Sequence, residues 1–279
     1  MNETRGEDVL LSEKDFKFIC EFVYEHTGIV LGASKREMVY RRLSRIIRER
    51  NFDSFTQYCQ LLRTDPKGEM DYFVNSITTN LTSFFRENHH FEFLTKTELP
   101  KLLKSKTDKK IRIWCSASST GEEPYSIAMT VMDFMSEKLS NWDVKILATD
   151  IDSNVLAKGS AGIYPDKENL MPADMKKRFF SSGTGQNNQR IKAKSNIRNL
   201  ITFKQLNLLH EWPMKGPFDV IFCRNVIIYF DKETQNDLFI RFYELLPPGG
   251  ILILGHSENL GKCQQHFENI GRTVFRKPI

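Results

Sequence analysis

Residues 112–128 read RIWCSASSTGEEPYSIA. An apolar start, a run of small residues and a helix signal give this stretch the outline of a nucleotide-binding turn between a strand and a helix. It departs from the dinucleotide form in two ways. It has one glycine, Gly121, where that form is glycine-rich, and it has Glu122 and Glu123 where a phosphate would meet free N–H groups. A helix start is electropositive and attracts anions. Two glutamates placed there repel a pyrophosphate and welcome a cation. Acids in a first turn also serve simply to satisfy a helix start, so the pair alone does not decide the ligand.

Outward from this turn the chain alternates. IRIWCS precedes PYSIAMTVMDFM, VKILATD precedes SNVLAKG, FDVIFCR precedes KETQNDLFIRFYELL, and GGILILG lies near the end. Strand–helix alternation predicts a parallel sheet covered on both faces. ITFKQLN is one more strand candidate. The span 164–200 interrupts the rhythm with SSGTGQNNQRIKAKS and reads as a small antiparallel β insertion. Upstream the pattern is helical. Ser12 caps a periodic run over 12–26, and 34–50, 53–63 and 68–80 follow. The expected division is a helical N-terminal domain over 1–77 and an α/β domain over 78–279. No internal repeat is visible.

Composition narrows the class. With 40% hydrophobic and 27% charged residues, 279 residues make a soluble globular protein with a proper core. No run of 18 apolar residues exists to span a membrane, and the polar, acidic start MNETRGEDVLLSEKDF is no signal peptide. Cys20, Cys59, Cys115, Cys223 and Cys263 are odd in number and far apart, which fits reduced thiols in a cytoplasm and neither disulfides nor zinc. His89 and His90 are adjacent, so on a helix they would not face one another, and no metal is expected. The net charge of +5 equals that of residues 35–50 alone, where KREMVYRRLSRIIRER holds seven basic and two acidic residues. The positive charge is therefore one local feature. On that helix Val39, Leu43, Ile46 and Ile47 share one face, and Arg41, Arg45 and Arg48 the opposite one.

In an open α/β sheet, ligands bind beyond the carboxyl ends of the strands. Four such ends carry polar groups here: SASSTGEEP, Asp150 in LATDID, Asn207 after ITFKQL, and Arg224–Asn225 after FDVIFC. An aspartate after a strand is commonly a helix N-cap; the coincidence of four ends carries the argument. Asp150 stands where a carboxylate accepts hydrogen bonds from a ribose diol. A ribose site without a phosphate site, beside two acids, suits S-adenosylmethionine better than NAD or ATP.

Five segments, TTNLTSFFRE, ASSTGEEPYSIA, LATDID, FDVIFCRNVIIYFD and GGILILGHSEN, resemble the chemotaxis receptor methyltransferases of the CheR family. The resemblance covers nearly the whole chain. It implies a class I S-adenosylmethionine methyltransferase (Rossmann-like) sheet, with a helical domain before it and the β insertion within it. It implies methyl transfer to glutamate side chains of chemoreceptors, giving γ-glutamyl methyl esters. Cofactor contacts carried over by motif are Asn80, Thr82, Arg86, Glu123, Asp150, Asn207, Leu208, Arg224 and Asn225. Arg86 and Tyr229 would lie nearest the reacting carboxylate. By analogy with the family, Arg41, Arg42, Arg45 and Arg48 would dock on an acidic receptor bundle and steer encounter. The turn Gly183-Thr184-Gly185 resembles the place where some members hold a receptor's C-terminal tethering peptide as an added strand.

The chemistry is also sensible from below. A glutamate with a pKa of about 4.3 is ionised at neutral pH and needs no general base to attack a sulfonium methyl. Catalysis then rests on holding nucleophile, methyl and leaving sulfur in line. A catalytic His–Asp pair is accordingly not expected. Arg86 would orient the carboxylate by a two-point hydrogen bond. Three other readings stand beside this one. A nucleic-acid methyltransferase would set the basic helix on phosphate, but VIIYF lacks the polar–Pro–Pro–aromatic form. A non-catalytic adaptor would bind cofactor and receptor only. A dehydrogenase is disfavoured by Glu122–Glu123 and the missing glycines. The expected state is a cytoplasmic monomer without nucleic-acid partners or membrane insertion.

Overall fold

The computed structural model describes residues 10–279. The first nine residues of the acidic start lie outside the described residues. The chain divides into two units between Thr79 and Asn80, two residues beyond the expected boundary at 77/78.

The first unit is all-helical. Its helices are α1 (Glu13–Thr27), α2 (Arg36–Glu49, entered through a 3-10 turn at Ala33–Lys35), α3 (Phe55–Thr64) and α4 (Pro66–Ile77). Local chemistry sets their ends. Ser12 Oγ accepts from the Asp15 N–H and opens α1. Gly28 at φ +70° closes it, its N–H donating to Tyr24 O. Asp65 caps α4 by accepting from the Gly68 N–H, with Pro66 at the first helical position. Ile19, Val23, Val39, Leu43, Tyr58 and Phe73 are buried together.

Of the α2 arginines, Arg41, Arg45 and Arg48 are exposed as expected. Arg45 pairs with Glu49 at 2.7 Å and Arg41 with Glu37 at 3.6 Å. Arg42 differs. Its guanidinium donates to the carbonyls of Ile77 and Thr78 and to Thr79 Oγ1. These carbonyls lie at the end of α4, where helices leave acceptors without intrahelical partners. Arg42, expected among the docking arginines, is half-buried and holds the helical unit together.

The second unit opens with α5 (His89–Phe93), a π turn at Leu94–Glu98 and α6 (Leu99–Ser105). Then come β1 (Lys110–Cys115), α7 (Glu122–Met135), β2 (Asp143–Asp150), α8 (Ser153–Ala161), β3 (Ile163–Pro165), α9 (Ala173–Phe179), β4 (Phe180–Ser182), β5 (Arg190–Ala193), α10 (Ser195–Arg198), β6 (Ile201–Gln205), β7 (Val220–Cys223), α11 (Lys232–Leu245), β8 (Ile251–Leu254), β9 (Glu268–Gly271) and β10 (Val274–Arg276). The main sheet has the order β6-β2-β1-β7-β8-β10-β9. Its first five strands are parallel, and β10 and β9 finish it antiparallel.

Side-chain alternation along β1 supplies both faces. Ile111, Ile113 and Cys115 join the core that contains α7 residues Ile127, Met129 and Val131 and the helical residues Phe91, Leu94 and Leu99. Trp114 points the other way, with ring centroids 4.8 Å from Trp212, 5.5 Å from Phe218 and 5.3 Å from Phe242. The insertion is a separate antiparallel sheet of order β3-β5-β4, which bears out the antiparallel reading. Among the described residues, no helix is long and apolar enough to cross a membrane.

Replacing Arg42 by Ala should lower unfolding stability by about 1–3 kcal/mol, the usual worth of charged hydrogen bonds, read from the urea midpoint. Arg41→Ala should leave that midpoint in place. Equal midpoints for the two variants would remove the structural role given to Arg42.

Candidate active site

The strand order makes β6, β2, β1 and β7 neighbours, so the four polar strand ends come to one rim. The order reverses between β2-β1 and β7-β8, which is where doubly wound sheets open a crevice.

β1 turns into α7 over residues 116–121. The Ser116 N–H donates to Phe222 O at 2.9 Å, and the Ser118 N–H to Thr149 O at 2.8 Å, stitching the turn to β7 and β2. Gly121 sits at φ +99°, and a Cβ there would stand 2.8 Å from both Gly159 Cα and the Tyr164 hydroxyl. The one retained glycine is thus the one the turn requires. Ser119, at φ +46°, donates its N–H to Asp150 Oδ2 at 2.8 Å. Asp150 Oδ1 accepts from the Asp152 N–H at 3.0 Å. Burial pushes the Asp150 carboxyl up to about 6, against the pull of these backbone bonds. Asp152 is the helix cap, accepting from the N–H groups of Asn154 and Val155.

The segment leading into the unit is fastened to this turn. Asn80 Nδ2 donates to Asp152 Oδ2 at 2.8 Å, and Ser119 Oγ donates to Asn80 O at 2.9 Å. The Phe85 N–H donates to Ser126 Oγ. Phe84 is buried edge-on against Tyr164 and Phe180. Thr82 is half-buried, and Arg86 donates to Leu81 O at 3.0 Å with about a third of its side chain exposed. Phe85 at φ +52°, Glu87 at φ +56° and Asn225 at φ +58° join Ser119 in the left-handed region. Non-glycine residues held there gather at sites that the surroundings over-determine.

Arg224 ties the rim together. Its side chain is 1% exposed. One nitrogen meets Glu123 Oε2 at 2.6 Å; the other meets Arg86 O at 2.5 Å and Glu87 Oε2 at 3.3 Å. Arg224, expected among the cofactor contacts, turns its guanidinium into the protein. Glu123 meets Arg224 through one oxygen, while its other oxygen accepts from the Cys115 thiol at 3.1 Å. Glu122 accepts from Thr120 Oγ1 at 2.6 Å, and burial raises its pKa. Burial would raise the Glu87 carboxyl too, but His256 and Arg224 hold it down at about 2.

Glu87, His256 and Glu258 carry no role in the sequence reading. His256 donates its backbone N–H to Glu87 Oε2 and sets Nδ1 3.0 Å from Oε1. A histidine–carboxylate pair thus stands at the rim. The expectation that His89 and His90 face apart is overturned: their ring centroids are 4.1 Å apart. His90 Nε2 lies 3.0 Å from Arg272 O, so that nitrogen carries the proton. Burial and the Arg224 charge bring His90 down to about 4. Donor atoms of Glu87, His89 and His90 lie within 4.8 Å of one another, but both Glu87 oxygens are already engaged by Arg224 and His256.

The remaining expected residues are placed as follows. Asn207 Oδ1 accepts from the Leu209 N–H at 3.0 Å, and Leu208 is buried beside it in sequence. Asn225 and Tyr229 lie on the loop after β7, both half-buried, with Tyr229 closing a 3-10 turn. Gly183 and Gly185 lie in the β4–β5 connection; a Cβ on Gly183 would strike Asn187 O at 2.0 Å.

A parallel sheet in this order, with an acid at the end of β2 and polar groups at four adjacent strand ends, has the architecture of the class I methyltransferases. Comparison with known proteins specifies it further. Residues 80–276 match the family description "CheR methyltransferase, SAM binding domain", and residues 14–78 match "CheR methyltransferase, all-alpha domain". The chain belongs to the CheR methyltransferase family, and its cofactor is S-adenosylmethionine. It is 46% identical over 263 residues to a "Probable chemotaxis protein methyltransferase" of Rhizobium etli, covering 91% of this chain and 96% of that one. It is 45% identical to "Chemotaxis protein methyltransferase 2" of Pseudomonas aeruginosa, with 95% and 93% covered. It is 42% identical to the "Chemotaxis protein methyltransferase" of Escherichia coli K12, with 96% and 92% covered.

The rim suits that cofactor. It offers a buried carboxylate for a diol, and Glu122 and Glu123 occupy the α7 start where a phosphate would bind. With Asp150 near 6, a ribose held by the ionised carboxylate should bind less well in acid. Cofactor affinity is expected to be level near pH 7 and to weaken by up to about tenfold per unit as pH falls below 6. Asp150→Asn should weaken binding and flatten the profile, as read by calorimetric titration with S-adenosylhomocysteine. An Asp150→Asn profile that keeps the acid limb would assign it elsewhere.

Proposed function

We propose that the protein methylates glutamate side chains of chemoreceptors, giving γ-glutamyl methyl esters in sensory adaptation. The observation that carries this reading is the family membership over nearly the whole chain, with relatives named for chemotaxis. Bound cofactor supplies an electrophilic methyl on a sulfonium. This chain's residues hold and orient. Asp150 and the turn behind it receive the ribose, with Asn80, Thr82, Asn207, Leu208 and Asn225 around the nucleoside. Glu123 and Arg224 act by fixing the turn and the lead-in segment to each other. Arg86 presents its guanidinium to the incoming carboxylate, which is ionised and needs no base. Tyr229 flanks the same point.

The His256–Glu87 pair favours one rival, base-assisted transfer to a neutral nucleophile. Against it, Glu87 is bonded to both the backbone and the ring of His256 as well as to Arg224, which makes it an anchor for the residue. His256→Ala should therefore keep turnover within a few-fold and leave the pH profile unmoved. Loss of about 10²-fold or more, the usual worth of a general base, would favour the rival.

For the substrate, the exposed Arg41, Arg45 and Arg48 suit an acidic helical surface. The outer strand β4 borders a cleft of about 410 Å³ lined by Lys176, Lys177, Phe180, Ser182 and Ile191. That edge suits an added peptide strand, and Gly183 and Gly185 shape the turn beside it.

The test is transfer of labelled methyl from S-adenosylmethionine to receptor-containing membranes, followed by mild alkali. Release of the label as methanol is expected. Alkali-stable label would contradict the glutamate ester. Arg86→Ala should reduce turnover at least about tenfold with receptor still bound; full turnover would remove Arg86 from the chemistry.

A further inference from the structure

The loop after β7 is shaped by a residue that does not belong to it. Glu258 lies in the turn after β8 and is 5% exposed. Its two oxygens receive four backbone N–H groups: Asn225 at 2.9 Å and Gly255 at 2.7 Å on one, Ile227 at 2.9 Å and Ile228 at 3.4 Å on the other. Three of the four donors belong to the Asn225–Tyr229 loop. The acceptors of that loop are satisfied from another side, since Gln235 Nε2 of α11 donates to Ile227 O and Phe230 O. Asn225 is held at φ +58°, which a non-glycine residue keeps only under constraint. Gly255 provides the room. A Cβ there would stand 2.6 Å from Asn225 Nδ2 and 2.9 Å from Glu258 Oε2.

We propose that Glu258 is the positioning residue of the active-site loop. Its carboxylate holds the backbone of Asn225–Ile228, and through it sets Asn225 toward the cofactor and Tyr229 toward the substrate. The inference rests on the reading above that those two side chains face cofactor and substrate. Only an acceptor-only group can do this work, because every group facing it is a donor.

Asp219 is the natural control. It is equally buried, at 4% exposed, but it precedes β7 at the opposite end of the strand. There it pairs with Lys106 at 2.6 Å and accepts from the Arg112 N–H at 2.8 Å. Both acids are buried and accept from the backbone, and only one supports the loop.

The experiment is calorimetric titration with S-adenosylhomocysteine of wild type, Glu258→Gln, Gly255→Ala and Asp219→Asn, with thermal unfolding of each. Glu258→Gln puts an amide NH2 against backbone N–H groups and leaves one acceptor oxygen. It should weaken binding by about tenfold or more, as expected when buried donors lose a charged acceptor. Gly255→Ala, which crowds Asn225 and keeps the carboxylate, should weaken it in the same direction and serves if Glu258→Gln fails to fold. Asp219→Asn should lower the melting temperature and leave affinity within about twofold. Unchanged affinity in Gly255→Ala and Glu258→Gln would overturn the proposal, as would equal losses in Asp219→Asn. No receptor is present, so failure of the glutamate reading would leave this result standing.

Discussion

The rim depends on one buried positive charge. Arg224 leaves the end of β7 with nowhere to meet water, and an unpaired guanidinium there would be severely penalised. Its three partners come from two places: Glu123 from the first turn of α7, and Glu87 and the Arg86 carbonyl from the segment before the sheet. Geometry makes arginine the residue for this task, since a planar fork with several donors can satisfy three acceptors at once. Two carboxylates and one guanidinium leave the cluster net negative, a setting that tolerates a sulfonium better than a phosphate. Of the two glutamates at the α7 start, Glu123 is thus already paired from within by Arg224.

Around that bracket each loop is fixed by acceptors aimed at backbone donors. Asp150 takes the N–H groups of Ser119 and Asp152, and Glu258 takes four N–H groups beyond β7. The left-handed residues Phe85, Glu87, Ser119 and Asn225 sit at these fastened places. A methyl transfer from a sulfonium to a carboxylate asks for alignment more than for proton transfer. A rim built from backbone clamps supplies alignment.

Much of this was legible in the sequence. The strands over 110–115, 143–150, 201–205, 220–223 and 251–254 appeared as short apolar runs, and Ser12 marked a helix start by ordinary capping chemistry. What escaped had physical reasons. β9 is exposed at every position and shows no apolar alternation. The helical rod over 89–105 is broken by a π turn and contains Pro100. At the site, the strand ends were found because each lies next to its strand. Glu87, His256 and Glu258 were not, because their partners are 137, 169 and 33 residues away in Arg224, Glu87 and Asn225. Helical spacing had already left Arg42 off the face of Arg41, Arg45 and Arg48, but its acceptors at Ile77 and Thr78 lie too far along the chain to be read.

The most direct test of the bracket is the affinity of Arg224→Lys for S-adenosylhomocysteine, beside its far-ultraviolet circular dichroism. Lysine keeps the charge but offers a single point where three acceptors wait. The variant should fold, with an affinity lower by more than about tenfold. A folded Arg224→Lys protein that binds as tightly as wild type would contradict the role of the bracket.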